Sequence, residues 1–208
     1  MLRPLEGIRV LDLSRILAGP YAAQSLGDLG ANVTKIEAPW GDDTRGWGPP
    51  FQKGFDGEVV ASYFLSCNRG KDIRSGNIKE DKIHLQSLIS ESDIVIENFR
   101  PGTFERHLGP VPKGVILCSI SGYGQNGPRR DEPAFDLTMQ ARSGIMSITG
   151  DADGPPAKVG VAWIDVMTGM NAVSSILAAL YHRERTGEGS RIDISLWDTA
   201  LAALVNQG

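Results

Sequence analysis

A strand, a helix and a second strand near the start of the chain constrain its fold most strongly. Residues 8–13 (IRVLDL) form a short aliphatic run with period-2 character, typical of a strand. Pro20 suits the first position of a helix that we expect to end near Gly30. The segment NVTKIEAP, which is stopped by Pro39, predicts the second strand. A unit of this kind predicts a parallel sheet with helices on its faces, an α/β fold.

The rest of the 208 residues continues the alternation of strands and helices, and their number suits one domain or slightly more. Residues 40–57 are rich in glycine and proline and predict a long loop. Strands are predicted over 93–99, 115–124 and 191–196, and helices over 79–92, 135–149, Asp165 to about Arg185, and from 197 onward.

Composition argues against several classes of protein. The 21 basic and 25 acidic residues leave a net charge of −4, without the basic footprint of a nucleic-acid binder. No run of 18 apolar residues predicts a membrane span, and the first strand follows too closely on Met1 for a secretory or transit peptide. Cys67 and Cys118 match no metal-ligand spacing and suit a reducing compartment. We expect a cytoplasmic enzyme or binding domain without a metal, a nucleic-acid partner or a membrane. For a eukaryotic protein, a mitochondrial location is the alternative, although no transit peptide is visible.

Common nucleotide-binding and hydrolase motifs are missing from the sequence. Neither GxGxxG nor GxxxxGK[ST] follows the first strand. The turn Leu17-Ala18-Gly19-Pro20 precedes a helix whose first backbone N–H groups suit a phosphate, but an ordinary tight turn explains it equally well. The three histidines, His84, His107 and His182, are scattered and have no catalytic partner at an informative spacing.

Asp165 is the acidic residue with the best case for chemistry. It follows an apolar run and opens an apolar helix, so we expect its carboxylate to be partly desolvated and close to backbone N–H groups. An aspartate is also a preferred helix N-cap, which requires no catalytic role. The local pattern favours the N-cap, and both interpretations stay open.

Other polar groups are expected at the carboxyl ends of strands, where open α/β sheets bind ligands. Gly122–Gln125 and Glu97–Gly102 each leave a predicted strand. Nearby arginines would either gather phosphates or lie in solvent; they are Arg100, Arg106, Arg129 and Arg130.

Taken together, ordered segments over essentially the whole chain resemble the family III CoA-transferases (CaiB/BaiF type). That family includes formyl-CoA, carnitine and succinyl-CoA-dependent transferases and the α-methylacyl-CoA racemases. The matching segments are LRPLEGIRVLDLSRILAGPYAAQSLGDLGANVTKIEAP, GDDTRGWGPPF, NRGK, DIVIENFRPGTFERHLG, ILCSISGYGQNGP, SGIMSITGDADGPPAKVGVAWIDVMTG and AALYHRERTGEGSRIDISLWDTAL. The resemblance implies a Rossmann-like sheet in which residues 1–208 form the N-terminal part of the family's large domain, without its C-terminal completion and its small domain.

The resemblance also implies a reaction of the EC 2.8.3 type. Asp165 matches the family's nucleophile, which carries CoA as an aspartyl-CoA thioester between an acyl-CoA and a carboxylic acid. Coenzyme A thioesters are then substrates, and no permanently bound cofactor is expected. Family contacts to CoA carry over onto Leu17, Ala18, Lys79, Asn98, Phe99, Arg100 and Arg106, with Lys79 and Arg106 meeting phosphates. Ala38 and Pro133 replace basic contacts used by some relatives.

Three functions follow from the resemblance. The segments GDDTRGWGPPF and SGYGQNGP look most like transferases that use dicarboxylates such as succinyl-CoA. A catalytically impaired CoA-binding fragment is the first alternative, because family members are about twice as long and form interlocked homodimers. A racemase is the second, but Phe135 stands where racemases have a histidine base.

Overall fold

A six-stranded parallel sheet organises the protein, whose computed structural model describes residues 2–54 and 57–207. Its strands are β1 (Arg9–Asp12), β2 (Asn32–Glu37), β5 (Asp72–Ser75), β6 (Ile94–Glu97), β7 (Ile116–Ser121) and β8 (Arg191–Ser195). Their order is β5-β2-β1-β6-β7-β8, and every neighbouring pair is parallel. Two short strands, β3 (Phe51–Lys53) and β4 (Val59–Ala61), form a separate antiparallel pair. The predicted α/β fold with a parallel sheet is confirmed.

Helices cover both faces of the sheet. They are α1 (Ala18–Asp28), α2 (Ser62–Asn68), α3 (Lys82–Glu91), α4 (Thr103–Leu108), α5 (Asp136–Ser143), α6 (Trp163–Thr186) and α7 (Leu196–Ala202). Side chains alternate along each strand, so Ile94 and Ile96 pack on the side of α1 and α6 whereas Val95 packs on the side of α3 and α4. The sheet therefore has a hydrophobic core on each face.

Some boundaries differ from those expected from sequence. The helix predicted over 135–149 is divided at Gly144, whose φ of 89° ends α5 before a short 3₁₀ turn over Ile145–Ile148. β5 was missed because all four of its residues are exposed at the sheet edge, and α4 because six residues are too few to show helical periodicity. The predicted loop over 40–57 includes β3; residues 55 and 56 lie outside the described residues.

The helices α6 and α1 approach each other closely at Gly169. A Cβ atom added to Gly169 would lie 2.9 Å from the carbonyl oxygen of Ala18 and 3.0 Å from Cδ1 of Tyr21. Only a residue without a side chain allows the backbones to approach this closely. Asp165 lies one turn earlier on the same face of α6, so this contact places it beside the start of α1.

The helix α6 is also long and apolar enough to cross a membrane when judged by length and composition alone. In this structure one of its sides is buried, including Ile164, Ala172 and Ile176, and packs with α1 and the sheet. That packing is typical of a core helix.

Gly169→Ala is expected to lower the free energy of unfolding by about 1–3 kcal/mol, because the new methyl group would push α1 away from α6. Urea unfolding measures this change. Gly114→Ala is the matched control, since no atom lies within 4 Å of its added Cβ. Equal effects of the two substitutions would contradict close packing at Gly169.

Candidate active site

A cleft with a volume of about 240 Å³ opens at the carboxyl ends of β1, β6 and β7. From β1 the chain connects to β2 on one side. From β6, which is the neighbour of β1 on the other side, the chain connects to β7, farther from β1. The connections that leave β1 and β6 therefore diverge, and ligands of open α/β sheets bind in the crevice formed at such a point. The cleft is lined by residues from 15–18, 98–101, 120–122 and 132–135, and by Arg130, Asp165 and Leu196.

Most of the predicted site residues come together in this cleft. Those that line it are Leu17, Ala18, Asn98, Phe99, Arg100 and Asp165. The other two lie elsewhere: Lys79 is in the loop before α3, and Arg106 is exposed on α4. Contacts of Lys79 and Arg106 with phosphates stay predictions.

Asn98 joins two walls of the cleft. Its Oδ1 accepts a hydrogen bond of 3.0 Å from the backbone N–H of Arg15, and its Nδ2 donates one of 2.7 Å to the Arg15 carbonyl. Both polar ends of the amide are thus used to fix the β1–α1 turn, which comprises residues 14–17. Sequence reasoning predicted only a ligand contact for this side chain.

Glu97 stabilises the loop that follows β6 through a hydrogen bond to its backbone. Its Oε2 accepts a 2.8 Å hydrogen bond from the backbone N–H of Phe99. Burial raises the pKa of Glu97 to about 7, against the opposing effect of hydrogen bonds from Ser119 and Phe99. Glu97 therefore supports the loop that carries Asn98 and Phe99.

The N-terminus of α6 is capped by a residue from another helix. Oδ1 of Asp136, at the start of α5, accepts hydrogen bonds from the backbone N–H groups of Ile164 at 2.7 Å and Asp165 at 3.1 Å. The N-cap position itself is Ala162, so the interpretation of Asp165 as an N-cap is wrong. The expectation that these N–H groups hold the Asp165 anion is also wrong, because Asp136 already accepts from them.

The carboxyl group of Asp165 consequently has little stabilisation of its negative charge. Burial, and repulsion from Asp136, raise its pKa to about 7. Within the described residues no hydrogen bond reaches the Asp165 carboxylate. A carboxylate without donors or full hydration retains its electron density for attack on an electrophile, so this group is suited to act as a nucleophile.

The arginines that line the cleft differ in whether they form ion pairs. Arg15 pairs with Asp43 at 3.2 Å, and Arg130 approaches Asp131 at 3.5 Å. Arg100 has no ion pair within the described part of the chain. Its guanidinium is therefore available to an anionic ligand.

One wall of the cleft is stabilised by ion pairs and an aromatic contact that were not predicted from the sequence, which offered Arg129 as a phosphate ligand or a solvent-exposed residue. Arg129 and Arg142 both donate to the hydroxyl of Tyr123 and pair with Glu132, and they lower the pKa of Glu132 to about 2. Arg129 also stacks on the ring of Tyr123, 4.2 Å from its centroid. The wall over 132–135 is thereby tied to the strand end at Tyr123.

The described residues do not contain a cluster of side chains suited to bind a metal ion. Within residues 2–54 and 57–207, no group of three or more His, Cys, Asp or Glu residues is arranged to hold a metal ion. None of the three histidines lines the cleft.

These features define an α/β protein with a ligand cleft at the strand switch point and a candidate nucleophilic carboxylate inside it. The family model described as CoA-transferase family III matches residues 5–208. The chain belongs to this family.

Characterised relatives and a solved structure agree with that assignment. The chain is 46% identical to a succinate–glutarate CoA-transferase of Agrobacterium fabrum over 98% of this chain and 54% of the relative. It is 42% identical to a succinyl-CoA:mesaconate CoA-transferase of Haloarcula marismortui, covering 95% of this chain and 53% of the relative. A CaiB/BaiF family crystal structure from Brucella suis matches with a TM-score of 0.95 at 43% identity, over 100% of this chain and 57% of that one. The chain thus spans about half the length of these relatives.

Asp165→Asn is expected to stabilise the protein more at pH 8 than at pH 5. Because the pKa of Asp165 is about 7 in the folded protein and about 4 in the unfolded chain, proton binding stabilises the folded state at low pH. This stabilisation is lost as the pH rises from about 4 through about 7. Asparagine carries no charge, and the variant's advantage in free energy of unfolding should therefore grow by roughly 2 kcal/mol between pH 5 and pH 8.

Thermal unfolding at both pH values measures this difference. The exposed Asp153 supplies the control, since Asp153→Asn should show the same small effect at each pH. A pH-independent effect at Asp165 would mean that its carboxyl group ionises normally.

Proposed function

We propose that the protein is a CoA-transferase that moves CoA from an acyl-CoA to a carboxylic acid through Asp165. The observation that carries the proposal is the state of this residue. Asp165 is largely desolvated, its carboxylate receives no hydrogen bond from the described residues, and it faces the cleft that contains most of the expected CoA contacts. Membership in CoA-transferase family III supports the same chemistry.

The proposed reaction has two symmetrical halves. A carboxylate oxygen of Asp165 attacks the acyl carbon, the C–S bond breaks, and a mixed anhydride and a CoA thiolate result. The thiolate attacks the Asp165 carbonyl carbon of the anhydride, which releases the donor acid and leaves an aspartyl-CoA thioester. The acceptor carboxylate repeats these steps in reverse, forming the new acyl-CoA and regenerating Asp165. The thioester bond energy is conserved throughout, provided water is excluded.

CoA is proposed to bind along the turn that begins α1. Leu17 and Ala18 would meet it through the open start of the helix, where unpaired backbone N–H groups favour anions. Arg100 provides a cation that makes no other ion pair within the described residues. The phosphates would extend toward Arg106 and Lys79, which lie outside the cleft.

For the acyl groups we propose succinyl-CoA as donor and a small dicarboxylate as acceptor. The relatives that carry the names succinate–glutarate and succinyl-CoA:mesaconate CoA-transferase support this choice. Racemisation is not supported, because Phe135 lines the cleft where a second base would be needed and no histidine of the described residues does so. We also propose that residues 1–208 correspond to the N-terminal part of the large domain of an interlocked homodimer.

Intact-mass measurement after brief incubation with succinyl-CoA tests the covalent step. The unmodified protein should gain one CoA in thioester linkage, which hydroxylamine removes. Asp165→Asn should show no adduct, whereas Asp153→Asn, a change at an exposed aspartate, should form it normally.

The other outcomes separate the alternatives. Binding of CoA without any adduct would contradict catalysis and support a CoA-binding fragment. Exchange of the α-proton of a 2-methylacyl-CoA would support a racemase. An adduct that persists in Asp165→Asn would exclude Asp165 as the nucleophile.

The rate of adduct formation is expected to depend on pH through Asp165. Only the ionised carboxylate attacks, and its pKa is raised to about 7. The second-order rate constant should therefore fall about tenfold per pH unit below pH 7 and level off above it. Rapid-quench measurement from pH 5.5 to pH 8.5 gives the profile, and a constant rate over this range would contradict it.

A further inference from the structure

Four charged residues whose side chains are buried lie directly behind the β1–α1 turn. They form the charge cluster, defined as Asp12, Lys35, Asp42 and Lys71. Lys35 pairs with Asp42 at 3.3 Å and Lys71 pairs with Asp12 at 2.8 Å, so the cluster is neutral overall. Burying four charges is unfavourable unless each is paired and hydrogen-bonded, and none of the four lines the cleft.

Every member of the charge cluster bonds to the backbone of the turn or of the helix start that follows. Lys35 Nζ donates to the Ser14 carbonyl at 2.7 Å, and Asp12 Oδ1 accepts from the Ser14 N–H at 3.0 Å. Lys71 Nζ donates to the Pro20 carbonyl at 2.9 Å. Burial alone would raise the pKa of Asp12, but Lys71 and Lys35 lower it, so this carboxylate stays ionised.

Asp42 makes the contact that bears most directly on the shape of the turn. Its Oδ2 accepts a 3.2 Å hydrogen bond from the N–H of Ile16, whose φ is +71°. A β-branched residue in this left-handed conformation is strained and persists only where its surroundings impose it. Ile16 itself lines the cleft, between Arg15 and Leu17.

Asp42 is in turn held firmly in place. Its Oδ1 accepts from the N–H and the hydroxyl of Thr44 at 3.0 and 2.7 Å. Its own N–H donates to Glu37 Oε2 at 3.1 Å. Arg45 donates hydrogen bonds to both carboxylate oxygens of Glu37, at 2.8 and 3.1 Å. The carboxylate that meets Ile16 thus has little freedom to move.

We propose that the charge cluster shapes the CoA-binding turn by holding Ile16 in its left-handed conformation, with Lys35 and Asp42 as positioning residues. The proposal rests on the proposed function of the cleft. Two independent clamps act on the same short segment, because Asn98 holds Arg15 from the cleft side while the cluster holds Ser14 and Ile16 from behind. The turn is thereby set for CoA before the ligand arrives.

Asp42→Asn tests the proposal. If the asparagine side chain keeps its oxygen on Thr44, its NH2 group faces the N–H of Ile16 and the ammonium of Lys35. An NH2 group cannot accept a hydrogen bond from either, so Ile16 loses its support. We expect calorimetry to show that CoA binds about tenfold more weakly. This factor corresponds to the free-energy cost of keeping a β-branched residue left-handed without the hydrogen bond to Asp42. Steady-state KM for succinyl-CoA should rise by the same factor with little change in kcat. The Ile16 amide should also exchange hydrogen faster.

Rescue distinguishes positioning from a general loss of stability. Glycine adopts positive φ readily, but Ile16→Gly also removes a side chain that lines the cleft, so the double variant is compared with the Ile16→Gly single variant. In that background Asp42→Asn should weaken CoA binding by less than about threefold. Asp72→Asn, which alters an exposed ion-paired aspartate, should change nothing. Unchanged affinity in Asp42→Asn, or a loss of affinity as large in the Ile16→Gly background as in the unmodified protein, would overturn the proposal.

Two further measurements keep the test decisive. If Asp42→Asn does not fold, Thr44→Val removes only the hydroxyl that fixes Asp42 and should still speed exchange of the Ile16 amide; unchanged exchange would overturn the proposal. If the unmodified protein binds no CoA, the proposed function fails, and amide exchange in Asp42→Asn still decides whether the cluster holds the turn.

Discussion

The rest of the site depends on the close approach of α6 to α1. Gly169 has no side chain, so the carbonyl of Ala18 lies against α6 where any Cβ would collide with it. Asp165 is one helical turn from Gly169 and shares its face. A contact inside the core therefore fixes where the candidate nucleophile meets the β1–α1 turn, even though neither glycine nor alanine takes part in the chemistry.

Around the cleft, some charged groups bond to the backbone and others face the ligand space. Asp136 accepts from the start of α6, and Asp42 and Lys35 bond to the turn, so their charges are used within the protein. Asp165 and Arg100 face the cleft and have no ion pair within the described residues. The second group can remain reactive because the first keeps the backbone around it in place.

Five of the six strands of the sheet were predicted from the sequence, and six of the eight predicted site residues line the cleft. In β6, Ile94, Val95 and Ile96 are apolar on both faces, as expected of a strand buried between two helical layers. Asn98 and Leu17 follow strands whose carboxyl ends meet at one edge of the sheet. The cap on α6 could not be predicted, because Asp136 and Asp165 are 29 residues apart and only tertiary packing brings them together. The charge cluster was hidden for the same reason, since Asp12 and Lys71 are 59 residues apart.

The placement of Asp136 links the reactivity of Asp165 to the wall of the cleft. If Asp165 itself accepted from the first N–H groups of α6, its anion would be stabilised, its pKa would fall, and it would be a weaker nucleophile. Asp136 accepts from those groups instead and adds repulsion, and α5 begins with Asp136 directly after the wall over 132–135. The segment that meets the ligand is thus continuous with a residue whose repulsion adds to the effect of burial on the pKa of Asp165, so we expect displacement of that wall to change this pKa.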